Sequence, residues 1–274
     1  MMMTRAHLIR SRLERIVGRR WPVVAAVALL SLLLGFGLAV LTVDDGQVAH
    51  SGPLSPGARG VWVVRHMLRT PASIDRAIAT AQEVGADTLF VQVNGRMEAY
   101  YDSALLPAAA DMAPDFDALA YVIRRAHAEG IQVHAWINAF TAGMLTDLPQ
   151  APEHVLHRHP DWMTVDQTGR SLWDYSWQEA QVYVPARMLD PGLPDVQRFV
   201  VDVVLEVVDK YDVDGVHLDY VRYPSRRFGY HPESIGRFVE EHGFDPLVLQ
   251  QDAEAFIAEY GRDEWERRVA LWDD

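Results

Sequence analysis

The chain has 274 residues, 49% of them hydrophobic and 23% charged, with no cysteine and a net charge of −13. That composition suits one sizeable globular core and excludes a disordered chain, a disulfide framework and thiolate metal sites. Residues 1–20 carry six arginines against Glu14, a net +5, so the total of −13 leaves −18 for the remainder, an acidic body that argues against nucleic acid as a partner.

Residues 21–43 hold no charge and exceed the roughly 18–20 residues that cross a bilayer as a helix. The arginine-rich flank before them belongs in the cytoplasm. The apolar run is longer than the roughly 7–15 residues of a signal peptide and no small-x-small site precedes Asp44, so an uncleaved signal anchor is expected over a cleaved leader. This predicts a single-pass protein of the cytoplasmic membrane, with its N-terminus inside and its body outside. Residues 44–58, rich in Gly, Pro, Ser and Asp, read as a linker.

The folded body starts at Arg59. Gly60–Arg65 reads as a first buried strand, and Ser73 is a candidate cap for a helix running to Gly85, with Ile74, Ala77, Ile78, Ala81 and Val84 inward. Asp87–Asn94 is a second strand, with Gln92 and Asn94 on its polar face. A loop through Glu98, Tyr100, Tyr101 and Asp102 leads to Asp115, a candidate cap for a helix that ends at Gly130 and turns Leu119, Val122, Ile123 and Ala126 inward. Ile131–Asn138 is a third strand, with His134, Trp136 and Asn138 alternating against Val133, Ala135 and Ile137.

From Ala139 to Leu193 the rhythm breaks. This long insertion holds a short helical candidate at His154–His159, a turn at Asp166–Gly169, a possible extended segment at Val184–Leu189, and the aromatics Trp162, Trp173, Tyr175, Trp177 and Tyr183. Long insertions are often lids or binding loops. Exposed rings there would stack on sugars, and buried rings would pin the lobe to the barrel.

The cycle resumes with an amphipathic helix opened by Pro194, whose apolar positions include Val196, Val203, Val207 and Val208. It feeds the stretch V-D-G-V-H-L-D-Y-V-R-Y-P at Val213–Pro224. Alternation there puts His217 and Asp219 on one face, opposite Val216, Leu218 and Tyr220. A strand that is apolar toward its helices and polar at its C-terminal tip is how β/α barrels hold catalytic groups. Helices near Glu233–Glu241 and Leu247–Tyr260 follow.

The phrases R-G-V-W-V, T-L-F-V-Q-V-N-G-R, V-H-A-W-I-N, H-P-D-W, L-D-P-G-L-P-D-V and D-V-D-G-V-H-L-D-Y-V-R-Y-P occur in that order. Together they resemble the bacterial glycosyl-hydrolase-like 10 family over about residues 58–274. The resemblance implies a (β/α)8 TIM-barrel domain of an exported or lipid-anchored envelope protein, hydrolysing glycosidic bonds, in some members those of peptidoglycan glycan strands. Only four β/α units can be counted, with strands near residues 60, 88, 132 and 214, whereas a closed barrel needs eight. The expectation is therefore an α/β fold holding about the first half of the barrel, with the other half on a longer native chain or lost by truncation of the gene.

Glycoside hydrolysis ordinarily uses two carboxyl groups flanking the scissile bond. Asp219, at a strand tip with Arg222 nearby in sequence, is the first candidate, as nucleophile or transition-state stabiliser. The bland reading makes it a partner of Arg222 or a loop cap. Glu98 is the available second acid, although such loop acids often hold a substrate hydroxyl or a neighbouring arginine. Asn94, Trp136, Asn138, His217, Arg222 and Tyr223 are candidate sugar-binding residues, each with a core role as its alternative. Asp190 reads as a turn former. His217 and Asp219 could share a metal but lack a third ligand, so neither metal nor cofactor is expected. No phosphate-cradling glycine loop and no G-x-S-x-G elbow is present. The expected function is hydrolysis of an extracytoplasmic polysaccharide, peptidoglycan glycan first, against a non-catalytic carbohydrate-binding envelope protein.

Overall fold

The computed structural model describes residues 57–180, 184 and 186–273. Among these residues no helix is long and apolar enough to cross a membrane. The expected transmembrane helix finds no support among them. Its residues, 21–43, lie outside the described ones, and the membrane partner and single-pass location that depended on it are withdrawn.

Four parallel strands form one sheet in the order β1-β2-β3-β6: β1 is Gly60–Val63, β2 Thr88–Asn94, β3 Gln132–Asn138 and β6 Gly215–Asp219. Helices α1 (Pro71–Glu83), α2 (Ala118–Ala128) and α3 (Pro194–Lys210) precede β2, β3 and β6 respectively. This is half the strand count of a TIM barrel, with β/α connections throughout. The sheet curls strongly. Trp62 and His217 stand on its two edge strands, yet their rings meet across the concave face with centroids 6.1 Å apart.

Local chemistry sets the helix starts. α1 opens at Thr70, not Ser73: Thr70 Oγ1 accepts from Ser73 N, Ser73 Oγ accepts from Thr70 N, and Pro71 fills the first turn. Ile74, Ile78 and Ala81 are buried, while Val84, expected inward, is 57% exposed at the helix end. α2 is capped by Asp117, whose carboxylate accepts from Ala120 N, because Asp115 two residues earlier turns the chain at φ +60°. Gly130, at φ +72°, ends it.

Between β3 and α3 the insertion folds as a lobe around a short antiparallel pair, β4 (Thr141–Gly143) with β5 (Arg187–Met188). The expected short helix is one turn, Val155–Arg158, capped by His154. Asp166 organises the hairpin after it. Its carboxylate accepts from Thr168 and Arg170 N and from the Tyr175 hydroxyl at 2.5 Å. Most of the lobe's aromatics pin it to the barrel. Tyr175 is buried, Trp162 stacks on His159 and lies against Phe199 of α3, and Trp173 lies under Arg187. Trp177 is 39% exposed. Tyr183 falls outside the described residues.

After β6, α4 (Pro232–His242) leads to a helical cap. The expected Leu247–Tyr260 helix is split at Asp252, which caps α5 (Ala253–Tyr260). α6 (Arg262–Asp273) then places Trp272 against Tyr230 and Phe238, and Arg268 over Phe244 and Phe256.

Candidate active site

Strand register stacks the concave face in levels. Trp62, Phe90, His134 and Gly215 occupy the first, Gln92, Trp136 and His217 the second, and Asn138 and Asp219 the top. His134 fits because Gly215 has no side chain: a Cβ there would lie 2.6 Å from the imidazole. His217 is caged by Phe90, Trp62 and Trp136, with ring centroids 5.1, 6.1 and 6.4 Å away. The alternation read from the sequence thus places His134, Trp136, Asn138, His217 and Asp219 on one surface.

Asp219 is half-buried, at the tip of β6 and in register with Asn138. Its Oδ1 accepts from Tyr220 N at 2.7 Å, and Tyr220 takes φ +54°. That reversal carries the chain away, so the residues that follow leave Asp219. Arg222 is exposed, its guanidinium 4.9 Å from the centre of the Tyr220 ring. Tyr223 donates to Asp190 Oδ1 at 3.3 Å, and burial, followed by the nearby Asp190 charge, raises its phenol. Asp190 is fully buried, accepting also from Thr164, Gly192 N and Ser234. The bland alternative that pairs Asp219 with Arg222 is therefore not what the structure shows.

Two of the expected binding asparagines differ. Asn94 has no exposed surface, and its Oδ1 accepts from the amide of Met97, which sits at φ +58°. It holds a tight turn. Asn138 donates to Gly95 O at 3.0 Å, which leaves its Oδ1 without a partner. Trp136 Nε1 and His134 Nε2 on the same strand are also buried and unpartnered. Three orphaned polar atoms thus lie along the concave side of β3.

Glu98 stands in the loop after β2, in a cavity of about 210 Å³ shared with Arg96, Gly143, Asp147, Gln150 and His154. Burial raises its carboxyl above the usual range, against the opposing pull of Arg96, whose Nε is 3.9 Å from Glu98 Oε2. Around it, Tyr100 donates to Asp111 at 2.6 Å, Arg69 donates to the same carboxylate at 2.6 Å, and Arg65 donates to Gln92 at 3.0 Å. Sequence reading missed Arg65 and Arg96. Arg65 follows the end of β1, where a 3-10 turn at Arg65–Leu68 breaks the alternation, and Arg96 sits in a loop with no period. Among the described residues no group of three or more His, Asp or Glu is arranged to hold a metal ion.

The profile of the family described as glycosyl hydrolase-like 10 matches residues 57–270. The chain belongs to this family. Glycosyl hydrolase YngK of Bacillus subtilis is 31% identical over 156 residues, 54% of this chain and 27% of that protein. Glycosyl hydrolase DigH of Escherichia coli is 31% identical over 262 residues, 80% of this chain and 56% of that protein. This glycosyl hydrolase-like 10 chain therefore spans about a quarter of the first of these relatives and just over half of the second. Among solved structures, alpha-L-fucosidase isoenzyme 2 from Paenibacillus thiaminolyticus superposes with a TM-score of 0.51 at 22% identity, covering 69% of this chain and 26% of that one. That likeness speaks for the fold alone, a glycoside-hydrolase-like half-barrel.

Proposed function

We propose that this chain hydrolyses glycosidic bonds of a polysaccharide, with peptidoglycan glycan strands as the first substrate to try. The observation that carries the reading is the position of Asp219. It is a half-buried carboxylate at a strand tip, level with Asn138 and directly above His217 in its cage of aromatic rings. A sugar on that surface meets an aromatic floor and an acid at the rim. Two relatives named glycosyl hydrolases support the same direction.

In this reading Asp219 is the nucleophile or the stabiliser of the oxocarbenium-like transition state, and Glu98 is the acid that protonates the leaving oxygen. The division follows from environment. Tyr220 N donates to Asp219 and fixes the direction of its carboxylate at the strand tip, whereas burial of Glu98 favours its protonated form. Trp136, Asn138 and His217 bind the sugar.

The test is release of reducing ends from purified peptidoglycan glycan strands and from neutral polysaccharides, with Asp219→Asn as control. Turnover that falls by about 10²-fold or more in the variant supports the assignment. Turnover unchanged by the substitution removes Asp219 from the mechanism, and binding without any release favours the non-catalytic reading.

A further inference from the structure

The turn that carries Glu98 is strained, and buried side chains hold it from three sides. Met97, directly before Glu98, sits at φ +58°, in the left-handed region that a side chain disfavours. Three successive residues of the turn are fixed at their backbone groups. Asn138 of β3 donates to Gly95 O at 3.0 Å, His154 Nε2 donates to Arg96 O at 2.9 Å, and Asn94 at the end of β2 accepts from Met97 N at 2.8 Å. The Glu98 carboxyl does little to place itself, since Arg96 Nε stands 3.9 Å away, beyond hydrogen-bond reach. Its position in the cavity it shares with His154 is therefore set by the backbone.

Of the three holders, the two asparagines belong to the strands beside the turn. His154 alone reaches in from the insertion lobe, 58 residues along the chain from Arg96. It has no exposed surface, and its two nitrogens face groups of fixed character. Arg96 O can only accept, and Leu156 N, 3.1 Å from Nδ1, can only donate. One state satisfies both, the neutral imidazole with its hydrogen on Nε2. Burial lowers the His154 pKa, against the opposing pull of the bond to Arg96 O, and keeps the ring neutral. The lobe end of this link is firm. Leu156 is fully buried over Gly143 of β4, where a Cβ would come within 2.8 Å of the leucine methyl.

We propose that His154 is a positioning residue for Glu98: it holds the strained turn by Arg96 O and so ties the candidate acid to the insertion lobe. The proposal rests on the reading of Glu98 as the general acid and deepens it. A turn released at Arg96 relaxes away from positive φ, which carries the carboxyl toward water and away from the leaving oxygen. Misplacement of a reacting group by about 1 Å can cost about 10²-fold in rate.

The experiment separates the two bonds of the imidazole. His154→Asn keeps an oxygen for Leu156 N, as a favoured cap, but is too short to reach Arg96 O. His154→Gln reaches Arg96 O with its amide and gives up the cap. The readout is the titration of the Glu98 carboxyl carbon by NMR in the intact chain, which needs no turnover. In His154→Asn the midpoint should fall by about 0.5 pH unit or more as the carboxyl gains water, and in His154→Gln it should stay within about 0.2 of the unsubstituted chain. On a glycan that the chain cleaves, kcat should drop about tenfold or more in His154→Asn with KM changed less than about twofold, and His154→Gln should restore most of it. A Glu98 midpoint unmoved by His154→Asn, or moved as far by His154→Gln, would overturn the proposal and leave His154 a helix cap. The unsubstituted chain supplies a check that no folding failure can spoil. Nitrogen NMR of the imidazole should show His154 neutral at neutral pH with its hydrogen on Nε2, and a hydrogen on Nδ1 would overturn the link to Arg96. A midpoint that falls only in His154→Asn, in a chain that cleaves nothing, would support the link and sink the hydrolase reading.

Discussion

At Asp219 the backbone, and not a counter-ion, orients the carboxylate: Oδ1 accepts from Tyr220 N, and Arg222 is turned toward the Tyr220 ring. An asparagine keeps that acceptor and the shape, so Asp219→Asn should leave the thermal midpoint almost unmoved while turnover collapses. Glu98 predicts a pH dependence with a definite sign. As a general acid it must be protonated, so the rate should fall as pH rises through its raised pKa, and the Glu98→Gln variant should lose that limb of the profile. Gly215 tests the packing below. His134 covers it and is itself held edge-on by Phe90 at 5.4 Å, so the ring cannot swing clear of a new methyl group. Gly215→Ala should destabilise by about 1–3 kcal/mol, seen as a lower urea midpoint. These concave-face residues were legible because strand alternation has a strict period of two. Arg65, Arg96 and the Tyr100–Asp111 pair were not, since their side chains converge from a 3-10 turn and a loop. Tyr223 misled for the opposite reason: it is near Asp219 in sequence, but the positive φ of Tyr220 turns the chain, and Tyr223 bonds to Asp190.

The elements carry their own signatures. Apolar periodicity marked α1, α2 and α3, and every strand of the main sheet, while both caps were displaced by two or three residues. Thr70 and Asp117 cap where Ser73 and Asp115 were expected, because several residues in each stretch can cap and only backbone angles choose between them. Thr70→Ala should cost about 0.5–2 kcal/mol with no change in the denaturant slope. The lobe is held by Asp166, which is fully buried. Burial alone would raise its pKa, but hydrogen bonds from Thr168, Tyr175 and Arg170 N more than offset this and bring it down to about 2. A carboxyl whose pKa is lower folded than unfolded contributes stability above the unfolded value, and that contribution fades as pH falls toward the folded one. The lobe should therefore loosen between about pH 4 and pH 2, by about 2 kcal/mol. Near-ultraviolet signals from Trp173 and Tyr175 would report it, and Asp166→Asn should flatten the transition.

For the whole molecule the decisive number is four strands. A barrel half read from sequence as four β/α units is a half in the structure, with β1 and β6 as the edges of the main sheet among the described residues. Each edge region shows apolar side chains that a neighbouring β/α unit would ordinarily cover. Trp62 is 55% exposed beside Val64 on the β1 side. On the β6 side Leu218 and Val221 are exposed, together with Val201, Leu205 and Val208 of α3. Such edges and patches drive association. This chain should self-associate in a concentration-dependent way, measured by light scattering or sedimentation. Val208→Glu together with Leu218→Lys should suppress that association. Because both side chains are already close to half exposed, the pair should cost only modest stability, about 1 kcal/mol per site. A chain that stays monomeric at high concentration would show that these faces are covered in solution. A chain that associates equally with the two charges in place would move the sticky surface elsewhere, with the Trp62 edge the next to be charged.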